Sequence, residues 1–236
     1  MSPLANQFGD HLNELRRRVT VAFAAVVLAS ALAYAFSRQL AALLVVPLFQ
    51  AAPDLAGLVY TSLPEAFVSY LKIAVLTGLL VAFPILLYQA WAFVAPALHR
   101  HEKKTVLLVV GWATLLFFGG AAFSGAIVMP RALTFLMSFA GDNLEALPKL
   151  DSYLTFVIRS SLAFGLAFEI PFLMVVAGKT GLVTRERFVR QRKYFYLAIV
   201  VLAFLLAAGD VVATVLLSLP LFVLYEAALF IMRIFR

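Results

Sequence analysis

Long apolar stretches dominate this chain. They cover about residues 19–36, 67–93, 106–129, 153–177, 195–208 and 211–232. A transmembrane helix needs about 20 mainly apolar residues. Of the 236 residues 64% are hydrophobic and only 13% are charged, and a soluble domain of this size could not bury so much apolar surface. The sequence therefore predicts an all-α polytopic membrane protein with six transmembrane helices in a single domain over residues 1–236.

The last two stretches adjoin each other. Phe195 to Met232 is broken only by Gly209-Asp210, and as one helix it would measure about 57 Å, nearly twice a bilayer core. We therefore expect two spans joined by a tight turn at Gly209-Asp210. Each is expected to be shorter than usual, which would thin the bilayer around it.

The second stretch, by contrast, is longer than a usual span. A helix from Pro64 to Phe93 would measure about 45 Å, so we expect it to project beyond the membrane or to tilt strongly. Pro84 should kink this helix. Glu65 and Lys72, seven residues apart near its start, would share one helix face.

Lysine and arginine are distributed unevenly between the connecting segments. Fourteen of the 19 lie before the first span, between spans two and three, between spans four and five, or after the sixth. Because such cations concentrate on the cytoplasmic side, both termini are predicted to be cytoplasmic. The net charge of +7 then reflects topology rather than nucleic-acid binding. No signal peptide is recognisable, so the first span is expected to remain in the mature protein.

Catalytic and metal-binding patterns are missing from the sequence. The chain has no cysteine, and His99 and His101 beside Glu102 lack further ligands at the spacing of a zinc site. No nucleotide-binding glycine loop and no GxSxG motif are present. We therefore expect no enzymatic activity, metal or cofactor.

Two acids at the predicted cytoplasmic interface are candidates for a binding site. An apolar stripe with helical spacing runs into the first span: Phe8, Leu12, Leu15 and Val19. Glu14 lies off this stripe, and Glu102 precedes the third span. Both acids could simply be solvated near a helix N-terminus. Alternatively, the two carboxylates could jointly hold a cationic peptide through bidentate bonds to arginine.

Glu169 lies well inside the fourth span, where an ionisable residue suggests a function. Gly165 lies one turn earlier, and Pro171 removes a backbone hydrogen bond, so the sequence predicts a polar, hydrated notch. A structural hydrogen bond to a neighbouring helix is the alternative. Asp210 fits an outer turn and Glu226 an inner interface, and each could be structural or functional.

Four motifs at these residues resemble the TatC family, the receptor subunit of the twin-arginine protein translocase. The first resembles HLxELRxR and runs from His11 to Arg18. The second resembles FxxPxLxxxE and runs from Phe93 to Glu102. The third resembles FGxxFExP, from Phe164 to Pro171, and the fourth resembles PxxxLYE, from Pro220 to Glu226. Four motifs in order over nearly the whole chain make the resemblance specific.

The resemblance implies a glove-like bundle in the cell membrane and assigns roles to residues. Signal-peptide binding falls to Glu14, Arg16, Phe93, Pro96 and Glu102. Glu169 is the intramembrane polar site in the concave face, and the further functional candidates are Pro47 in the first outer loop, Asp210, Tyr225 and Glu226. The implied partners are twin-arginine signal peptides, single-span TatA-type and TatB-type subunits docking on the last two spans, and membrane lipid, with several copies in the complex.

The chain departs from the family pattern at one place. Ala207 and Ala208 replace a proline-rich turn before Asp210, and Ala213-Thr214 stands where many relatives carry a glutamine. The expected function is export of folded precursors, driven by the proton-motive force. The alternatives are a proton-coupled small-molecule carrier that uses Glu169 as its relay, disfavoured by the absence of an inverted repeat, and a purely structural scaffold.

Overall fold

The structure is a computed structural model. It describes residues 3–53, 55, 57–94, 103–138, 147–179, 181, 183–206 and 211–234. Three of the candidate residues, Pro96, Glu102 and Asp210, lie outside the described residues.

The described part of the chain is helical almost throughout. Its helices are α1 (Pro3–Ala35), α2 (Ser37–Ala51), α3 (Glu65–Val94), α4 (Lys103–Phe123), α5 (Met129–Met137), α6 (Leu150–Lys179), α7 (Arg185–Arg190), α8 (Arg192–Leu206) and α9 (Val211–Ile234). A π-helical turn, Ser124–Val128, joins α4 to α5 without a break. Within these residues the β-structure is a single isolated parallel bridge between Val59 and Lys149. The predicted all-α class is confirmed.

Among the described residues, five helical segments are long and apolar enough to cross a membrane. They are Leu12–Ala35, Glu65–Phe93, Leu107–Met137, Leu150–Gly178 and Thr214–Ile234. Helix α8 has 15 residues and measures about 22 Å, shorter than a usual span, as expected. The expectation of a short last span is wrong, because α9 has 24 residues.

Two predicted segments differ in detail from the structure. The third apolar helix continues through the π turn to Met137, eight residues beyond its predicted end at Met129. This extension could not be read from hydropathy, because Pro130 and Arg131 interrupt the apolar pattern. Pro47, which is expected in a loop after the first span, lies inside helix α2.

The chain divides into two compact units. The first consists of Met1–Leu40 and Tyr70–Leu115, and the second of Ala41–Ser69 and Leu116–Arg236. In the first unit, α1 and α3 approach closely, since a Cβ atom at Gly78 would lie 2.5 Å from backbone atoms of Ser30. A glycine is therefore required at this contact.

The second unit contains a buried core formed by α6, α7, α8 and α9. Its largest fully buried side chains include Phe164, Leu217, Leu221, Tyr225 and Leu229. Helix α6 packs along α9, and α8 packs on the same helix. This core places Tyr225 and Glu226 beside α7 and α8.

Candidate functional sites

Glu14 lies in α1, where it forms an ion pair with Arg18 one turn later. Its Oε1 atom accepts hydrogen bonds from Arg18 Nη2 at 2.5 Å and from Nε at 3.1 Å. Glutamate preceding arginine by four residues is a favourable order on a helix. The Glu14 side chain is 36% exposed. Its other oxygen, Oε2, accepts no hydrogen bond from the part of the chain that the structure describes. Glu14 can therefore reach an external donor.

The other predicted members of this binding site are only partly placed. Arg16 is exposed on α1, and its carbonyl oxygen accepts a hydrogen bond from the Thr20 hydroxyl at 2.8 Å. Phe93 is half-buried in the last turn of α3. Because Pro96 and Glu102 lie outside the described residues, the pairing of Glu14 with Glu102 stays a prediction.

Glu169 is buried in α6, with 5% of its surface exposed. Its Oε1 atom has no hydrogen-bond partner among the described residues. A carboxyl group without a partner in an apolar setting is costly. The structural hydrogen bond that is the alternative to a function is therefore not found at this atom among the described residues.

The space beside Gly165, where the sequence predicts part of a polar notch, is filled by an aromatic ring. A Cβ atom at Gly165 would lie 2.6 Å from the ring of Phe117, so this ring fills the space beside the glycine. Phe117 is fully buried. Gly165 therefore serves close packing of α4 on α6 rather than access for water. Sequence reasoning recognised the small residue but not the ring that packs against it.

Tyr225 holds α7 against α9. Its hydroxyl group donates a hydrogen bond to the carbonyl oxygen of Phe188 at 3.0 Å. Its ring stacks on Phe195, with centroids 5.1 Å apart. Tyr225 is fully buried, so this contact is internal to the second unit.

Glu226 connects α9 to α8 through two hydrogen bonds. Arg192 Nη2 donates to Oε2 at 2.9 Å, and the Tyr196 hydroxyl donates to Oε1 at 2.6 Å. Arg185 Nε donates to the Leu229 carbonyl oxygen at 3.2 Å, which adds a tie from α7. Glu226 thus links α9 to α8, while the preceding residue, Tyr225, links α9 to α7.

A set of hydrogen bonds around Glu65, here called the clasp, holds the start of α3 and was not predicted from the sequence. Glu65 Oε2 accepts hydrogen bonds from the Thr61 amide at 2.8 Å, the Thr61 hydroxyl at 3.0 Å and the Ser62 amide at 3.3 Å. Lys149 Nζ lies 3.6 Å from the same oxygen. The signal was present in the sequence, since Ser62 followed three residues later by Glu65 has the spacing of a capping box.

The clasp continues between the segments that precede α3 and α6. The Val59 amide donates to the Pro148 carbonyl at 3.1 Å, and the Leu150 amide donates to the Val59 carbonyl at 2.9 Å. The Ser69 hydroxyl donates to Asp151 Oδ1 at 3.2 Å. These bonds join residues more than 80 positions apart in sequence.

Several long apolar helices, joined by hydrogen bonds between their side chains, define a multi-pass helical membrane protein. Residues 10–220 match the family model described as Sec-independent protein translocase protein (TatC). The chain belongs to the TatC family, and it is a component of a Sec-independent protein translocase.

Curated relatives and solved structures agree with this assignment. The relatives are Sec-independent protein translocase proteins TatC. That of Desulforapulum autotrophicum is 38% identical over 97% of this chain and 84% of its own length. That of Aquifex aeolicus is 37% identical over 94% and 92%, and that of Escherichia coli is 32% identical over 95% and 87%.

The fold is similar to a crystal structure of the twin arginine translocase receptor TatC. The two superpose with a TM-score of 0.87 at 35% identity, over 95% of this chain and 98% of the other. A second such structure, in DDM, gives a TM-score of 0.85 at 36% identity, over 94% and 98%.

Proposed function

We propose that this chain is the receptor and core subunit that binds twin-arginine signal peptides of folded precursor proteins. It acts in the cell membrane as a single glove-like domain of six spans, with both termini in the cytoplasm. It assembles, in several copies, with TatA-type and TatB-type subunits for export driven by the proton-motive force. It is a binding and transport component rather than an enzyme. The similarity of the fold to crystal structures of the twin arginine translocase receptor TatC supports this proposal.

The observation that carries the proposal is the geometry of Glu14. This carboxylate already accepts two hydrogen bonds from a guanidinium group, that of Arg18. It therefore has the position and exposure to accept the guanidinium of an incoming peptide, either at Oε2 or by exchange with Arg18. The pair is partly exposed, so the exchange has a small free-energy cost.

A second carboxylate is needed to read two arginines. Glu102 is the proposed partner, with Arg16, Phe93 and Pro96 shaping the site. Arginine suits such recognition because its planar group binds a carboxylate through two parallel hydrogen bonds, whereas lysine acts as a point charge. The apolar part of the signal peptide then follows the concave surface of the bundle towards Glu169.

The carrier alternative is weaker. The carrier would use Glu169 as its relay, and the ring of Phe117 fills the space beside Gly165, one turn before this glutamate. Purified protein in liposomes tests this alternative directly. Proton-coupled solute uptake by this chain alone would support a carrier and oppose the receptor.

The experiment measures binding of a fluorescent Arg-Arg signal peptide and of its Lys-Lys version to the purified protein. The Arg-Arg peptide is expected to bind more tightly, by about tenfold for each arginine whose bidentate pair of hydrogen bonds a lysine cannot form. Glu14→Gln and Glu102→Gln should each reduce this preference, and the double variant should abolish it. Glu186→Gln, in α7, is the matched control and should bind both peptides as the unmodified chain does.

Arg18→Gln adds a sharper test. If Arg18 occupies the carboxylate that the peptide needs, its removal should tighten binding of the Arg-Arg peptide. Equal binding of both peptides by the unmodified chain, or an unchanged preference in the double glutamate variant, would refute the assignment of the site.

A further inference from the structure

Five cations lie close together between Arg185 and Lys193, and they divide into two groups. Arg185 and Arg192 are used inside the protein, the first on the Leu229 carbonyl and the second on Glu226. The other three are exposed: Arg187, Arg190 and Lys193. None of these three forms an ion pair with an acid in the described part of the chain. Hydrogen bonds within the protein therefore give a role to two of the five cations. The position of the other three needs another explanation.

The packing of α7 fixes the side of this helix on which two of the exposed cations lie. Arg187 and Arg190 are three residues apart in α7 and therefore lie on one face of it. The opposite face carries Phe188, which is buried and held through its carbonyl oxygen by Tyr225. This attachment fixes which side of α7 faces outwards. Lys193 continues the series into α8, where its Nζ atom lies 5.1 Å from the centroid of the Tyr194 ring.

An exposed apolar stripe begins where the cations end. Leu197, Val201 and Leu205 follow Lys193 at intervals of four residues, so they share its face of α8. They are 62%, 49% and 67% exposed. A cation and an aromatic ring at the end of an apolar helical face are typical of the level of lipid headgroups.

We propose that the outward face of α7 and α8 is a binding site for a phospholipid with an anionic headgroup. The guanidinium groups of Arg187 and Arg190, with Lys193, hold the phosphate, and the acyl chains lie along Leu197, Val201 and Leu205. Cations followed by an apolar stripe match the order of the two parts of such a lipid. An acidic soluble protein or a free anion would leave the apolar stripe uncovered. The site is distinct from the proposed peptide site at Glu14. The proposed docking of TatA-type and TatB-type subunits on the last two spans must then leave this face of α8 to the lipid.

The absence of cysteine makes a direct test possible. Leu197→Cys carries a bimane label in vesicles of phosphatidylcholine that contain a small fraction of brominated lipid. Brominated phosphatidylglycerol should quench the label more than brominated phosphatidylcholine at the same fraction. Each cation near an anionic lipid favours it by a factor of about 5, so the local enrichment should be at least severalfold. The same label at Leu32→Cys, 68% exposed on α1, should show no preference.

Variants separate this site from general attraction of charge. The triple variant Arg187→Gln, Arg190→Gln and Lys193→Gln should lose the enrichment at Leu197. Its matched control removes three exposed arginines elsewhere, Arg38→Gln, Arg131→Gln and Arg159→Gln, and should retain it. Arg187→Lys with Arg190→Lys keeps the charge and should retain most of the enrichment, which excludes misfolding as the cause of a loss.

Four outcomes would overturn the proposal. They are equal quenching by the two lipids at Leu197, equal enrichment at Leu197 and Leu32, persistence of the enrichment in the triple glutamine variant, and an equal loss in the control variant. A free anion as the ligand has its own signature. Inorganic phosphate, added at constant ionic strength, would then abolish the preference for brominated phosphatidylglycerol at Leu197, and this too would count against a lipid site.

Discussion

The hydroxyl group of Tyr225 in α9 donates a hydrogen bond to the carbonyl oxygen of Phe188 in α7, over 3.0 Å. The tyrosine is fully buried and Phe188 nearly so. Helix α7 has only six residues, too few to be stable in isolation. Its position must therefore come from contacts such as this one, and α7 in turn presents the exposed arginines of the proposed lipid site.

Tyr225→Phe removes this hydrogen bond and keeps the ring that stacks on Phe195. The free energy of unfolding should fall by about 1 kcal/mol, the usual contribution of one hydrogen bond. The loss is limited because the Phe188 carbonyl also accepts a bond from the Gln191 amide at 3.1 Å. Thermal unfolding in detergent measures the change. Tyr194→Phe, at a tyrosine that is 61% exposed, is the control and should leave the unfolding temperature unchanged. An equal shift in both variants would contradict the role given to Tyr225.

The ion pair between Arg192 and Glu226 should contribute little to stability by itself. The two side chains are 43% and 41% exposed, so solvent screens their attraction. A double-mutant cycle with Arg192→Gln and Glu226→Gln should give a coupling energy of about 0.5 kcal/mol. Added salt should reduce this coupling. A coupling of several kcal/mol that salt does not change would show that the pair behaves as a buried one.

Glu65 should matter more, because its carboxylate organises the segment before α3. Glu65→Ala leaves the Thr61 and Ser62 amides without their acceptor, and the free energy of unfolding should fall by about 2 kcal/mol. Glu65→Gln retains an acceptor oxygen and should cost less. Hydrogen exchange locates the effect, since the amide protons of Thr61 and Ser62 should exchange faster in the alanine variant. Exchange unchanged at both amides would exclude the clasp as a source of stability.

The helices can be predicted from the sequence because hydropathy and length decide which segments fold as apolar helices. The start of α3 after Pro64 and the short α8 follow from local residues, as does the all-α class. The continuation of α4 through the π turn into α5 does not, because Pro130 and Arg131 look like an end. Hydropathy likewise ends the last span at Met232, whereas α9 continues to Ile234.

Side-chain partners can be predicted from the sequence only where the two residues are close along the chain. The pair formed by Glu14 and Arg18 is local, and so is the capping pattern of Ser62 and Glu65. The partners of Tyr225 and Glu226 lie 30 or more positions away. No periodicity in one sequence indicates which helices become neighbours. For the same reason Gly165 suggested a notch, although a ring from α4 fills the space.

The packing of α4 on α6 depends on Gly120 more than on its neighbour Gly119. A Cβ atom at Gly120 would overlap the carbonyl oxygen of Phe164, a backbone atom that cannot move without moving α6. Gly120→Ala should therefore destabilise the protein by about 3 kcal/mol, the upper part of the usual range for overpacking. At Gly119 a Cβ atom would have no neighbour within 4 Å among the described residues. Gly119→Ala should be neutral or stabilising by up to about 1 kcal/mol, because alanine favours the helix. Unfolding temperatures of the two purified variants make the comparison, and equal temperatures would contradict the close packing of α4 on α6.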